Sequence, residues 1–240
     1  MDTNARTALV TGANKGIGKH IARLLAAEGL TVHVGSRDAE RGRRAAEEIG
    51  AGARPLVLDV TDPDSVRKAA AAVAELDVLV NNAGIQLSGA EAPDSGAEEF
   101  RRTFETNVFA VVEVTNAFLP ALRRSAHPRI VNVSSGTASL TWSTTPNPQF
   151  APGSGGFAAY RASKTALNAV TLLYSQTLKE AGFKVNALAP GRRATELNPN
   201  IGVGGGDPAE GAAGAVRLAL LPDDGPTGAF FSWDGTPVPW

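Results

Sequence analysis

Short apolar runs of strand length alternate with helix-length amphipathic segments from one end of the chain to the other, and this alternation constrains the fold more than any single motif. Strand-like runs fall at 7 to 11, 31 to 35, 54 to 58, 78 to 80, 129 to 133, 184 to 188 and 228 to 232. Between them lie stretches with helical spacing: Ile21, Leu24 and Leu25 on one face, a charged segment after Asp38, and Ala-rich residues 63 to 75 behind Asp62-Pro63. Two longer helices are expected over 97 to 124, with Pro120 kinking or ending the first, and over 157 to 181; the last helix follows Asp207-Pro208. Crossovers long enough to carry a helix imply parallel strands with helices on both faces. The expected fold is therefore α/β, a doubly wound (Rossmann-type), seven-stranded parallel sheet in a single domain over 1–240.

Glycine- and proline-rich stretches interrupt the alternation twice. A long loop is expected at about 136–156, and a Gly-rich segment at about 192–207 is a candidate lid. The formal net charge of −1, with both signs dispersed, provides no field for nucleic acid or anionic membrane. Cysteine is absent, which removes disulfides and thiol chemistry, and His20, His33 and His127 lie too far apart to suggest a metal site. No apolar run approaches the roughly 20 residues that span a bilayer, and residues 1 to 7 carry no signal pattern, so the expected location is cytoplasmic.

Chemistry concentrates where strands end. Gly12-x-x-x-Gly16-x-Gly18 stands between a strand and a helix, where glycines let the backbone approach a pyrophosphate and helix amides point at it. At the tip of the second strand, where an acidic residue would hold the ribose hydroxyls of NAD, the chain has Ser36-Arg37. With Lys15 in the glycine turn, this favours NADP; Asp38 counts against it, but helix capping accounts for that residue. Tyr160 and Lys164 are one helical turn apart and face the same way, so an ammonium could favour the phenolate and tune a general acid/base. Alone, such a pair also arises wherever a solvated lysine lies beside a half-buried tyrosine.

Taken in order, Thr11-Gly12-Ala13-Asn14-Lys15-Gly16-Ile17-Gly18, Asn81-Asn82-Ala83-Gly84, Asn107, Ser135, Tyr160-x-x-x-Lys164 and Pro190-Gly191 to Thr195 resemble the short-chain dehydrogenase/reductase family over nearly the whole chain. Lys15 and Arg37 are similar to its NADP-preferring branch. The resemblance implies catalytic roles for Asn107, Ser135, Tyr160 and Lys164. Tyr160 protonates a carbonyl oxygen as hydride arrives, Ser135 hydrogen-bonds that oxygen, and Lys164 binds the nicotinamide ribose and lowers the tyrosine pKa. Asn107 holds a water of a proton relay; its plain alternative is a satisfied core amide. Ser134 is the rival of Ser135, which the family places second. Cofactor contacts are implied for Gly12, Asn14, Lys15, Gly16, Ile17, Gly18, Arg37, Asp59, Val60, Asn82, Ala83, Gly84, Tyr160, Lys164, Pro190, Gly191 and Thr195.

Two departures from the family pattern stand out. The stretch from Ser135 to Tyr160 is long, similar to that of monomeric carbonyl reductases, and is expected to shape the substrate pocket, block oligomerisation, or both. Arg192-Arg193 occupies positions where apolar or aromatic residues are usual; surface solvation is the favoured reading, and binding of an anionic group the sharper one. Ile85, Leu87, Leu140, Trp142, Phe150 and Leu197 are candidates for an apolar pocket. The expected function is NADPH-dependent reduction of a small or medium ketone or aldehyde to an alcohol, reversibly, with NADP(H) as cofactor and no metal. Monomer and homo-oligomer both remain open. An NADP-binding sensor without turnover is the alternative, and a sugar-nucleotide epimerase ranks last, since the chain is short for an added substrate domain.

Overall fold

The computed structural model describes residues 6–50, 52–150, 155–195, 197 and 205–240. Its strands are β1 (Thr7–Val10), β2 (Thr31–Ser36), β3 (Ala53–Val57), β4 (Val78–Asn81), β5 (Arg129–Val133), β6 (Lys184–Ala189) and β7 (Phe230–Ser232). They form one parallel sheet in the order β3-β2-β1-β4-β5-β6-β7. The order reverses direction between β1 and β4, the switch point at which sheets of this class open a crevice.

Successive side chains on a strand point to opposite faces, and both faces are buried here. Ala8, Val10, Val78, Val80, Val131 and Val133 pack on one side with α1 (Gly16–Ala27) and α8 (Pro208–Ala219). Leu9, Leu79, Ile130 and Val185 pack on the other, with α3 (Pro63–Ala71) and α5 (Ala110–Leu122). Aspartates start three helices: Asp38 accepts from the Arg41 amide ahead of α2 (Ala39–Ile49), Asp62 caps α3 and Asp207 caps α8. No helix among the described residues is long and apolar enough to cross a membrane.

Two expectations need correcting. The helix expected over 97 to 124 is α4 (Ala97–Phe104), a π-helical stretch at Glu105–Phe109, and α5, with Pro120 inside α5 near its end. The widened turn inserts Asn107 into the interior, and apolar periodicity does not distinguish it from regular helix. The loop expected at 136–156 contains a 3₁₀ turn at Gly136–Ala138 and a short helix, α6 (Leu140–Thr144), capped by Ser139. Trp142 on α6 is 8% exposed and packs with Ala187, Ala189, Phe230 and Val238. Thr141 donates to the Trp240 carbonyl at 3.0 Å and Gln149 to Ser232 at 3.0 Å, so this segment closes the core beside β7. The candidate lid at about 192–207 falls largely on 196 and 198–204, outside the described residues.

Candidate active site

The carboxyl ends of β1 and β4 meet at the glycine turn. Gly12 and Gly16 have φ of +63° and +55°, in the left-handed region that glycine enters freely. A Cβ at Gly12 would stand 3.1 Å from the Ala83 Cα, and one at Gly18 would stand 2.6 Å from the Gly12 carbonyl oxygen. The Thr11 hydroxyl accepts from the Asn82 and Ala83 amides at 3.0 and 2.9 Å, and the Asn82 side chain donates to the Thr11 carbonyl at 2.9 Å. These bonds hold the turn against β4. The side chain of Lys15 does not cap α1, unlike the aspartates before α2, α3 and α8. Asn14 and Ile17 are half-buried beside the turn, Lys15 is exposed, and Thr195 lies over it, 3.7 Å from where a Gly16 methyl would sit. The closely approached, side-chain-free surface is a cradle of the kind a dinucleotide pyrophosphate needs, so the residues present fit a nicotinamide cofactor.

Arg37 is exposed just past β2. The Asp38 carboxylate beside it is held low first by the Arg41 backbone amide, which donates to it at 2.9 Å, so it caps α2 as expected. Asp59 accepts from the Thr61 amide and hydroxyl at 3.0 and 2.7 Å, and half-buried Val60 lines a shallow recess with Thr11, Asn81, Ala83 and Val111.

Tyr160 and Lys164 lie on α7 (Ala158–Leu178), which packs beyond the end of β5. The Lys164 Nζ is 5.8 Å from the centroid of the Tyr160 ring and donates to the Val133 carbonyl at 2.8 Å. It is 4% exposed, and burial pulls its pKa down to about 8. Burial pushes the Tyr160 phenol up to about 12, while a hydrogen bond from Ser135 pulls the other way. No effect of the Lys164 ammonium on the phenol stands beside these two.

Both serines at the end of β5 are placed unambiguously. Ser134 is buried and bonds Asn168 at 2.6 Å, facing into the protein, while Ser135 stands beside the Tyr160 phenol. The sequence reading missed Thr137, whose hydroxyl lies 2.9 Å from the Ser135 Oγ and orients it; the Ser-x-Thr spacing of a side-chain turn was the available signal. Asn107 accepts from the Ile85 amide at 2.8 Å and donates to the Ile85 carbonyl at 2.9 Å and to Ser163 at 3.0 Å. Ser163 in turn donates to the Tyr160 carbonyl at 2.7 Å. Both amide hydrogens of Asn107 are therefore engaged within the protein, where they tie α7 to the strand-end loop. Gly84 completes the group: a Cβ there would lie 3.2 Å from the Asn107 Oδ1 and 3.4 Å from the Lys164 Nζ.

Pro190 and Gly191 turn the chain after β6, with Gly191 at φ +75°. Arg192 is exposed, but Arg193 is buried, donates to the Pro190 carbonyl at 2.6 Å, pairs with Glu210 and stacks over Trp233. Surface solvation is therefore wrong for Arg193, whose charge is met by groups of this chain. Of the apolar pocket candidates, Trp142 belongs to the core and Leu140, 64% exposed, faces solvent. Among the described residues no cluster of three or more His, Cys, Asp or Glu could hold a metal ion.

Comparison with known proteins agrees with this geometry. Residues 6–203 match the family model described as short chain dehydrogenase. Salutaridine reductase of Papaver bracteatum is 33% identical over an alignment covering 95% of this chain and 94% of that protein. The NADPH-bound carbonyl reductase from chicken fatty liver superposes with a TM-score of 0.85 at 28% identity, covering 99% of this chain and 100% of the other. The 3-ketoacyl-(acyl-carrier-protein) reductase from Brucella melitensis, complexed with NADH, does so at 0.81 and 28%, covering 95% and 96%. With a single domain whose glycine cradle, Ser135, Tyr160 and Lys164 stand together at the carboxyl ends of its strands, the chain belongs to the short-chain dehydrogenase family of oxidoreductases, which use nicotinamide cofactors on ketones and alcohols.

Proposed function

We propose that this chain is an NADP(H)-dependent carbonyl reductase, acting reversibly as an alcohol dehydrogenase, with Tyr160 as the general acid. The observation that carries the reading is the Lys164 Nζ 5.8 Å from the ring centroid of half-buried Tyr160, with Ser135 beside the phenol and Gly84 against the ammonium. When bound, the nicotinamide supplies the hydride. The phenol, ordinarily near 10 and raised further by burial, keeps its proton at neutral pH, so Tyr160 Oη holds a proton to give to a carbonyl oxygen. Ser135 Oγ, steadied by Thr137, donates to the same oxygen as charge builds on it. Lys164 binds the cofactor ribose and, charged below about pH 8, offsets the phenolate left after proton transfer. Asn107 and Ser163 keep α7 in place while this happens.

Solved neighbours hold either NADPH or NADH, so the coenzyme choice rests on this chain's own residues. Arg37, with Lys15 in the turn, would offer positive charge to the 2′-phosphate of NADP, and Asp38 is engaged in capping α2. The substrate is a small or medium ketone or aldehyde. The decisive experiment assays purified protein with NADPH and NADH against a panel of carbonyl compounds, with Tyr160→Phe alongside. Turnover is expected with NADPH preferred and a loss of about 10²- to 10⁴-fold in Tyr160→Phe. Tight NADPH binding with no turnover of any compound would instead identify a cofactor sensor. Arg37→Ser is expected to raise KM for NADPH and leave that for NADH unchanged; an equal effect on both would remove Arg37 from the phosphate site.

A further inference from the structure

The geometry points to Arg193 as a positioning residue for the nicotinamide half of the cofactor, an inference that rests on the functional reading above. Its guanidinium is caged rather than merely buried. Nε donates to the Pro190 carbonyl at 2.6 Å, one Nη pairs with Glu210 on α8, and the group lies 4.4 Å from the centroid of the Trp233 ring. The space around it exists because glycines stand on three sides. A Cβ at Gly191 would come within 3.2 Å of Arg193 Nη2, one at Gly211 within 3.3 Å of Nε, and one at Gly206 would collide with Nη1.

The cage joins parts of the chain that only the tertiary fold brings together. Arg193 sits in a short parallel bridge with Gly206, whose backbone bonds Arg192 and Ala194 on either side. Glu210 belongs to α8, which packs along α1, the helix that begins at the glycine turn. Two residues beyond Arg193, Thr195, for which the family resemblance implies a contact with the nicotinamide carboxamide, lies against Gly16. Arg193 therefore fixes the turn that carries Thr195 to the helix that backs α1, so the two walls of the cofactor groove keep one spacing. A planar fork that bonds in two directions while its face stacks on an indole suits this role, and a lysine would satisfy one direction at a time.

The test compares NADPH with adenosine 2′,5′-bisphosphate, which carries the adenine and 2′-phosphate but no nicotinamide. Arg193→Met keeps an unbranched apolar stem and removes the guanidinium with its charge, and Glu210, half-exposed, stays solvated in that variant. NADPH affinity is expected to fall about tenfold in Arg193→Met and about threefold in Glu210→Gln, with adenosine bisphosphate affinity unchanged in both. KM for NADPH should rise in parallel while kcat stays within about twofold. Equal weakening of both nucleotides would mark a general structural role and overturn the inference, as would unchanged NADPH affinity. Should Arg193→Met fail to fold, Glu210→Gln decides by the same comparison. Wild-type protein that binds neither nucleotide would overturn the functional reading itself, and the inference with it.

Discussion

At Lys164, burial and function pull in opposite directions. A folded-state pKa of about 8 against the ordinary 10.5 means that the unfolded chain binds more protons between those values. This contribution to stability is present above about pH 10.5 and is lost as the pH falls toward 8, by up to about 1.4 kcal/mol per pH unit. Tyr160 acts with the other sign: its pKa is raised to about 12, so its contribution is present below pH 10 and lost as pH rises toward 12. Urea unfolding of cofactor-free protein at pH 7.5 and pH 9.5 is expected to show greater stability at the higher pH, with the difference abolished in Lys164→Met. An undiminished difference in that variant would assign the effect to another group. The fold tolerates this buried ammonium because the Val133 carbonyl accepts from it.

Between elements, the sheet and its helices are tied by a chain of buried side-chain hydrogen bonds. Asn81 on β4 donates to Thr115 on α5 at 3.1 Å and to Asn132, its register partner on β5, at 2.8 Å. Asn132 donates to Thr171 on α7 at 2.9 Å. The helix that carries Tyr160 and Lys164 is thereby held to β4, whose end packs on the glycine turn, and to β5, which runs into Ser135. Asn132→Ala leaves the Asn81 amide short of an acceptor and is expected to cost about 1–3 kcal/mol in chemical denaturation. A change under a few tenths would mean that a neighbouring group or water replaces the lost partner. The strands around this chain were legible because each is a short, nearly continuous apolar run. The π-helical stretch was not, since Phe104, Val108 and Val111 keep a helical spacing whether or not one turn widens.

Across the whole molecule, residues 136–150 are a structural closure of the β7 edge. Trp142 fills the space under Phe230, Trp240 stacks on Phe230 at 5.4 Å, and Arg161 on α7 holds Ser143 at 3.0 Å. Trp142→Ala is expected to lower stability by about 3–5 kcal/mol while changing KM for carbonyl substrates little; a large rise in KM at unchanged stability would return Trp142 to the substrate pocket. By itself the amino-acid sequence determined the strand and helix alternation, the glycine turn, the aspartate caps and the pairing of Tyr160 with Lys164, because these depend on local spacing and backbone preference. Only the tertiary structure decided that Ser134 turns inward to Asn168, that Arg193 lies in a cage of glycines, and that the Lys164 ammonium is buried on the Val133 carbonyl. Those outcomes follow from desolvation and from hydrogen-bond partners brought together from distant parts of the chain, which local sequence does not specify.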